Sequence, residues 1–583
     1  MLRSSRTLAS LIRSLVLGTA ATTTTVLVAS TVVGCKDESQ PEYWTDKLQD
    51  QAWRARAVKR LEQFFEDSMT KAGNDLKAPA VQEFVNKTVE PLTSTYVNTY
   101  DQMDTKTRVA LIKLLASFRD KRTEPALKKA FDDFAKKPKT SKDEQDIKWA
   151  ARATGDMKLD SLAMPMLEAF MKLKTSSMLG GVVYKDLNEA MNSMPNKGWV
   201  GPLVTKIEAE IVAPKGDKDK DLFDPFRDQL FWQTTAAELL GRIGDPAAVP
   251  PLMKVMLDPA KADIQPTAIL ALVKLGKPTV DAAVKLLKSQ DQALISFFNR
   301  RVKDLTNNEP KNSPHVQTAA LILGTVGRQD ALPALIDALN SEKDDSNKAV
   351  IAREIAKIPP TPQSKQAFKT AFESIPLDAT VPPGGNALET LAEAASRFYD
   401  PDMVGWLLAR ADGLKGSDDD KKAVQSAMTV TALKLAKPNQ IGAVKAAVNK
   451  YGTQLEKDAL ALVEKELKAC GDRVACYLAA IQKHENQEPK TQFAGIKDGY
   501  MIGILGGESN RDELVGALDS IENAAVRFVA AQVVDYLSPK GSKPVSEKLN
   551  TIIEKNAKSA DRDRAARDAP LKQVMYRLDA RGG

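Results

Sequence analysis

A helical unit that recurs in the middle of the chain constrains the fold more than any other feature of the sequence. Residues 236–252 read AAELLGRIGDPAAVPPL, and residues 319–335 read AALILGTVGRQDALPAL. Between them, residues 268–278 read AILALVKLGKP and keep the same order of small, aliphatic and turn residues. Self-similarity of this kind predicts an array of equal structural units, each burying its apolar face against the next. An array also suits a chain of 583 residues, which is too long for one ordinary core.

Each unit is predicted to form two short antiparallel helices. Its apolar residues recur at helical spacing, and its alanines allow a neighbouring helix to approach closely. Gly244, Gly276 and Gly327 are expected to end the first helix in the left-handed conformation. Asp245 and Asp330 are expected to cap the following helix. No run of alternating β-branched and polar residues predicts a sheet, so we expect an all-α protein.

The unit resembles the HEAT and PBS-lyase-like HEAT repeat family, most strongly over residues 227–345. The resemblance implies an α-solenoid of antiparallel helix pairs whose concave surface binds protein or peptide partners. It implies no bilin chemistry. Weaker copies of the unit occur in both directions. The expected organisation is a helical region with degenerate, irregular repeats over 44–225, well-matched repeats over 226–345, and degenerate repeats ending in further helices over 346–583. A single irregular helical domain is the alternative for 44–225.

The N-terminus predicts export and lipidation. The first thirteen residues are basic and lack acid, and an uncharged stretch follows as far as Gly34 and Cys35. A basic segment, an apolar segment and a small residue before the junction are typical of a secretory signal. The junction resembles the lipobox of bacterial lipoproteins, which implies cleavage after residues 1–34 and acylation of Cys35. Residues 35–43 are then expected to form a flexible tether.

Three other interpretations of this N-terminus stay open. An acid-free start rich in serine and arginine also suits a mitochondrial transit peptide. The uncharged run is long enough to remain as a membrane anchor, although Thr22 to Thr25 make it weakly hydrophobic. An unlipidated signal cut elsewhere is the third. The favoured location is the bacterial cell envelope, with the protein anchored to the outer membrane and facing the periplasm.

Apart from Cys35, the only cysteines are Cys470 and Cys476, which lie between two predicted helices. In an exported protein such a close pair predicts a disulfide. A reactive pair and two free thiols are the alternatives, although the five-residue spacing is not that of a redox motif.

Little in the sequence predicts catalysis or a cofactor. Basic residues number 83 and acidic residues 76, without a basic block that would indicate nucleic-acid binding. The two histidines, His315 and His484, lie far apart, and no nucleophile, metalloprotease or nucleotide-loop motif occurs. Asp217, Asp219 and Asp221 fit a calcium-loop template only in part, because Leu222 stands where the template requires glycine. We therefore predict no metal, no cofactor, no small-molecule substrate and no enzyme activity.

The function that fits these observations best is that of a membrane-tethered scaffold or adaptor for protein or peptide partners. A binding module for an envelope glycan or lipid is the first alternative, and it would need aromatic side chains gathered on one face. The six tryptophans are dispersed along the sequence instead. An enzyme with a site assembled across repeats is the second alternative. A polar or charged groove, an aromatic trough and a deep pocket of titratable groups would distinguish the three.

Overall fold

The computed structural model describes residues 37–582 apart from 137–143, 175–181, 213, 215–220, 311–312, 417, 484–487 and 558–567. The predicted signal segment, Cys35, His484, Asp217 and Asp219 therefore lie outside the described residues. By its internal contacts the chain forms two compact units, Met1–Thr95 and Tyr96–Gly583.

The first unit contains α1 (Pro41–Lys47), α2 (Gln51–Lys71) and most of α3 (Pro79–Thr99). The helix begins at Pro41, inside the segment 35–43, so the prediction of a flexible tether up to residue 43 is wrong. A proline in the first turn is compatible with a helix because its missing N–H would have no partner there. The Trp44 side chain is buried and fixes this first helix in the core of the unit.

The second unit is helical over almost all of its described residues. Its first part contains α4 (Thr105–Phe118), α5 (Glu124–Lys136), α6 (Glu144–Met157), α7 (Ala163–Phe170), α8 (Val182–Ser193), α9 (Val200–Glu208), α10 (Phe223–Ile243), α11 (Val249–Leu257), α12 (Gln265–Leu275), α13 (Lys277–Leu287), α14 (Gln292–Thr306), α15 (Pro314–Val326) and α16 (Leu332–Ser341).

The remaining helices are α17 (Asp345–Ile355), α18 (Pro362–Ser374), α19 (Ala387–Ala395), α20 (Met403–Gly413), α21 (Asp418–Leu435), α22 (Ile441–Tyr451), α23 (Gln454–Cys470), α24 (Val474–Ile481), α25 (Pro489–Leu505), α26 (Glu508–Ala517), α27 (Ala524–Tyr536), α28 (Lys543–Ala557) and α29 (Ala569–Gly582). Two short strands, β1 (Thr380–Val381) and β2 (Gly385–Asn386), pair antiparallel between α18 and α19. The all-α prediction is confirmed apart from this small hairpin.

Helices of the second unit alternate between two rows, as antiparallel repeat pairs require. In one row α4, α6, α8, α10 and α12 contact each other in order, and α15, α17, α19 and α21 continue it. The partners, among them α5, α7, α9, α11 and α16, lie in the other row. The sequence match is clear only over residues 226–345, but the alternation of helices begins well upstream, at α4.

Small residues mark the places where neighbouring helices of the first row cross. A Cβ atom built on Gly241 of α10 would lie 2.7 Å from the Cα of Ala271 in α12. At Gly324 of α15, a Cβ would lie 2.9 Å from the carbonyl oxygen of Glu354 in α17. Real Cβ contacts are longer than this, so only glycine allows the observed approach of the two backbones.

Two of the three repeat glycines adopt the predicted conformation. Gly244 and Gly327 end their helices at φ +74° and +70° in the left-handed region. The prediction is wrong for Gly276, which has φ +60° but ψ −122° because α13 begins at the next residue. Asp245 caps the following turn by accepting a hydrogen bond from the Ala247 amide at 2.9 Å. Asp330 instead forms an ion pair with Arg328 at 3.1 Å, contrary to the predicted cap.

The C-terminal helices return to the middle of the second unit. Helix α21 contacts α25, α25 contacts α27, and α27 contacts α29. Helix α29 then contacts α12 and α15, which lie within the well-matched repeats. The first row from α12 onward is therefore a closed circuit of helices, and α29 covers part of the faces of α12 and α15.

Among the described residues, no helix combines the length and the apolar character needed to cross a membrane.

Candidate partner-binding site

Arg577 of α29 links the last helix of the chain to the repeats with which it packs. One terminal nitrogen, Nη1, donates hydrogen bonds to the carbonyl oxygens of Gly324 at 2.8 Å and Thr325 at 2.7 Å. The other, Nη2, donates to the carbonyl oxygen of Lys357 at 2.6 Å. These acceptors lie at the C-terminal end of α15 and two residues after α17, where carbonyl groups lack intrahelical partners and carry partial negative charge. A single side chain therefore joins α29 to two repeats.

Asp535 of α27 completes this junction by pairing with two arginines of α29. Its carboxylate lies 3.0 Å from both Arg577 and Arg581. Burial alone would raise the pKa of Asp535, but the two guanidinium groups outweigh burial and hold the pKa below its ordinary value of 3.8. Burial lowers the pKa of Arg581 to about 10, so this side chain still carries its charge at neutral pH. Arg581 also donates to the carbonyl oxygen of Gly327 at 2.9 Å.

Buried cations at helix C-termini recur elsewhere in the chain. Lys497 of α25 donates to the carbonyl oxygens of Lys434 at 2.8 Å and Ala436 at 2.6 Å, at the end of α21. Burial lowers the pKa of Lys497 to about 7. Lys261 donates in the same way to Ala209 at 3.0 Å, just after α9, and burial lowers its pKa to about 8. The arrangement satisfies orphan carbonyl groups and aligns positive charge with the negative end of each helix dipole.

A cavity of about 210 Å³ lies beside the junction between α29 and the repeats. We call it the junction pocket. It is formed by the segments that follow α17 and α19 and by side chains of α27 and α29. Its polar lining includes Lys357, Arg397, Tyr399, Gln532, Asp535 and Gln573.

Among the described residues, one cation that lines the junction pocket has no ion pair. Lys357 forms an ion pair with Glu354 at 2.6 Å, and Asp535 is engaged by the arginines of α29. Arg397 is half-buried at the pocket and has no hydrogen bond or ion pair within the part of the chain that the structure describes. The lining carries three cations, Lys357, Arg397 and Arg577, against one carboxylate, Asp535, so the pocket is basic.

Tyr399 also lines this pocket, and the described residues do not use the hydrogen-bonding capacity of its hydroxyl group. The residue has φ +47°, which is uncommon for a bulky side chain, and its side chain is buried. Its ring lies 4.4 Å from the ring of Tyr536 and 5.3 Å from that of Tyr500, measured between centroids. The ring also packs over Gly503, where a Cβ atom would overlap it. Its hydroxyl oxygen is buried and has no hydrogen-bond partner among the described residues.

The electrostatics of Tyr399 keep its hydroxyl a hydrogen-bond donor at neutral pH. Burial, followed by Tyr500, raises the pKa of the Tyr399 hydroxyl well above 10, and the Arg397 charge acts against this rise. The phenol therefore remains protonated throughout the neutral pH range. A protonated phenol and a guanidinium group that both line the pocket can donate hydrogen bonds to an anionic oxygen.

A second cavity, of about 470 Å³, lies among α9, α11 and α14 and differs in its electrostatics. Lys254 pairs with Glu208 at 2.6 Å, and Arg301 pairs with Glu210 and Asp258 at 3.2 Å each. Although this cavity is larger, most of its charges compensate one another.

The tryptophans do not form an aromatic trough. Trp44, Trp199 and Trp232 are buried in the core, and the other three are partly buried on separate helices. The indole of Trp406, for example, donates to Glu373 at 2.8 Å and stacks edge-on against Phe372. This placement does not favour a groove for glycans.

His315, one of the two histidines, lies in the core of the protein. His315 is buried, with Nε2 2.9 Å from the Ser289 hydroxyl oxygen. Burial alone lowers the His315 pKa, without a neighbouring carboxylate to orient the ring as a general base would require.

Cys470 and Cys476 are joined in a disulfide between α23 and α24, with Cα atoms 5.4 Å apart. The described residues contain no group of histidine, cysteine and carboxylate side chains that could hold a metal ion.

The fold and the repeat geometry define an all-α protein of HEAT-like helix pairs. The family model of the PBS lyase HEAT-like repeat matches residues 232–258, which cover the end of α10 and all of α11. This match confirms the HEAT-like resemblance within 226–345, the segment predicted to contain the well-matched repeats. No curated protein matches the sequence. Among solved structures, a crystal structure of importin beta in an ammonium sulfate condition is similar at 10% identity, covering 93% of this chain and 84% of that chain, with a TM-score of 0.24.

Proposed function

We propose that this protein is a membrane-tethered helical-repeat scaffold of the bacterial cell envelope that binds a protein partner. The observation that carries the proposal is the closure of the repeats by α29. Because Arg577 and Arg581 fix this helix to α15, α17 and α27, the second unit offers a preformed surface with an open polar pocket. A preformed surface favours binding because little conformational freedom is lost when a partner docks.

The tether is the second part of the proposal. Acylation of Cys35 would leave only residues 36–40 before α1 begins at Pro41. A fully extended chain of that length spans roughly 18 Å, so a lipid on Cys35 would keep the first unit close to the membrane surface. Two or more acyl chains give stable anchoring, whereas one is marginal.

The test combines fractionation with site-specific crosslinking in a bacterial host. The mature full-length protein and a Cys35→Ala variant are fractionated, and the N-terminal peptide is analysed by mass spectrometry. We expect an acylated Cys35 in the membrane fraction of the wild type and loss of membrane association in the variant. An unmodified N-terminus starting elsewhere would contradict the tether.

Binding is tested by placing a photo-crosslinking residue at Phe528 beside the junction pocket and, as a control, at Leu455 on α23. Both side chains are exposed, with 42% and 38% of their surface accessible. We expect a discrete protein adduct, identified by mass spectrometry, that depends on the Phe528 position. Equal labelling from both positions, or adducts with glycan or lipid alone, would contradict a protein scaffold that uses this face.

A further inference from the structure

We propose that the junction pocket receives an acidic side chain from the protein partner, with Arg397 and the Tyr399 hydroxyl as its recognition groups. The inference rests on the proposed scaffold function and specifies how that function is carried out.

Charge is the first argument. Arg397 has no ion pair or hydrogen bond in the described chain, whereas the nearby cations Lys357 and Arg577 are paired with Glu354 and Asp535. A guanidinium group matches a carboxylate in planar, two-point geometry, and such charge-assisted hydrogen bonds are stronger than neutral ones. An incoming carboxylate would therefore pair with the one lining cation that has no ion pair in the described chain.

Unused hydrogen-bonding groups are the second argument. A buried hydroxyl group without a partner is costly, and the Tyr399 hydroxyl is such a group. The amide side chains of Gln532 and Gln573 also line the pocket, and the described residues give neither of them a side-chain hydrogen bond. A carboxylate, which accepts several hydrogen bonds at once, would satisfy the phenol and the guanidinium together.

Size and surroundings indicate a side chain of a protein rather than a free metabolite. The cavity of about 210 Å³ is smaller than typical pockets for whole small molecules, which measure roughly 300–1,000 Å³. Phe528 of α27 lies at its rim with 42% of its surface exposed. An acidic residue could enter the pocket while an apolar neighbour in the partner covers this phenyl ring, since aromatic side chains are enriched in the buried cores of interfaces.

The experiment selects random twelve-residue peptides on the purified full-length protein and, in parallel, on Arg397→Gln. Arg300→Gln is the matched control, because Arg300 is an exposed arginine at the other cavity. A selected peptide and its Glu→Gln or Asp→Asn counterpart are then measured by fluorescence polarisation. We expect acidic peptides to be enriched, and we expect Arg397→Gln or neutralisation of the peptide acid to weaken binding at least ten-fold. Arg300→Gln should bind within two-fold of the wild type.

Tyr399→Phe is the second variant, and it guards against a loss of folding. It removes only the unpartnered hydroxyl, so we expect weaker peptide binding with an unchanged or higher unfolding temperature. Peptides that bind Arg397→Gln as well as the wild type would overturn the pocket assignment but leave the scaffold function intact. If no peptide binds and inorganic phosphate instead raises the unfolding temperature in an Arg397-dependent manner, the pocket is a small-anion site and the proposal is overturned. If neither probe binds, the proposal is overturned as well.

Discussion

Substitution of Gly244 and of Gly327 by alanine forms a matched pair that measures how much the contact of α29 with the repeats contributes to stability. Both end a first-row helix with nearly the same backbone, at φ +74°, ψ +18° and at φ +70°, ψ +27°. A Cβ atom on Gly244 would meet nothing within 4 Å, whereas a Cβ on Gly327 would overlap the guanidinium group of Arg577. Alanine at either site therefore carries the same backbone strain, and only alanine at 327 also displaces Arg577.

The difference between the two variants follows from these contacts. Forcing an L-residue into the left-handed conformation costs about 1–2 kcal/mol at either position. Displacing Arg577 also gives up its hydrogen bonds to Gly324, Thr325 and Lys357, and its share of the pairing with Asp535. Breaking a buried pair typically costs about 3–5 kcal/mol. We therefore expect Gly327→Ala to destabilise the protein by about 3–5 kcal/mol more than Gly244→Ala.

The assay is hydrogen exchange followed by mass spectrometry, together with urea unfolding. In Gly327→Ala, the amides of α29 and of the end of α15 should exchange faster by about two to four orders of magnitude, since about 1.4 kcal/mol corresponds to a factor of ten. In Gly244→Ala the exchange of α29 should stay as in the wild type. Equal unfolding free energies for the two variants, or unchanged exchange in α29, would refute the conclusion that Arg577 holds the closure.

Three further outcomes are expected. Tyr399→Phe should leave stability unchanged or raise it by up to about 1 kcal/mol, whereas Tyr500→Phe, which loses a bond of 2.9 Å to a serine hydroxyl, should lower stability by about 1 kcal/mol in the same urea titration. Burial lowers the pKa of Lys497 from 10.5 to about 7, so the unfolded chain binds more protons between these values, and stability should rise with pH by up to about 1.4 kcal/mol per unit. Lys497→Met should reduce that slope, and an unchanged slope would argue against a buried lysine. Non-reducing peptide mapping should recover Cys470 linked to Cys476, and two free thiols would contradict the disulfide.

The local part of the fold is predictable from the sequence because its determinants are neighbours in the chain. Gly244 and Asp245 form a helix end and a cap within two residues, and the structure places both as expected. Position 276 also holds a glycine, but its backbone conformation differs from that of Gly244 because α13 starts without an intervening turn. The polar residues around Pro41 indicate a linker, although α1 begins at this residue.

The closure and the junction pocket could not be predicted in this way. Arg577 and its acceptor Gly324 are 253 residues apart, and an arginine in an amphipathic helix ordinarily indicates a solvated face. Tyr399 follows a helix at a position where glycine is usual, which is the only local sign of an unusual role. Lysine or arginine at a position that the apolar pattern assigns to the core, as for Lys497 and Arg577, is the signal that could have found these contacts.

The variant Asp535→Asn distinguishes two explanations of how the pocket would recognise an acidic partner. Asp535→Asn removes the only carboxylate that lines the pocket among the described residues, so simple electrostatics predicts tighter binding of an acidic peptide. The same change leaves Arg577 and Arg581 buried without their counter-ion, which should release α29 and dismantle the pocket. We expect the second effect to prevail, because the lost buried pairing costs about 3–5 kcal/mol, more than one added charge contributes at a solvated pocket. Asp579→Asn, at an exposed position of α29, is the control. Faster exchange in α29 together with weaker peptide binding in Asp535→Asn alone would show that the closure builds the site, and tighter binding with α29 still protected would show that it does not.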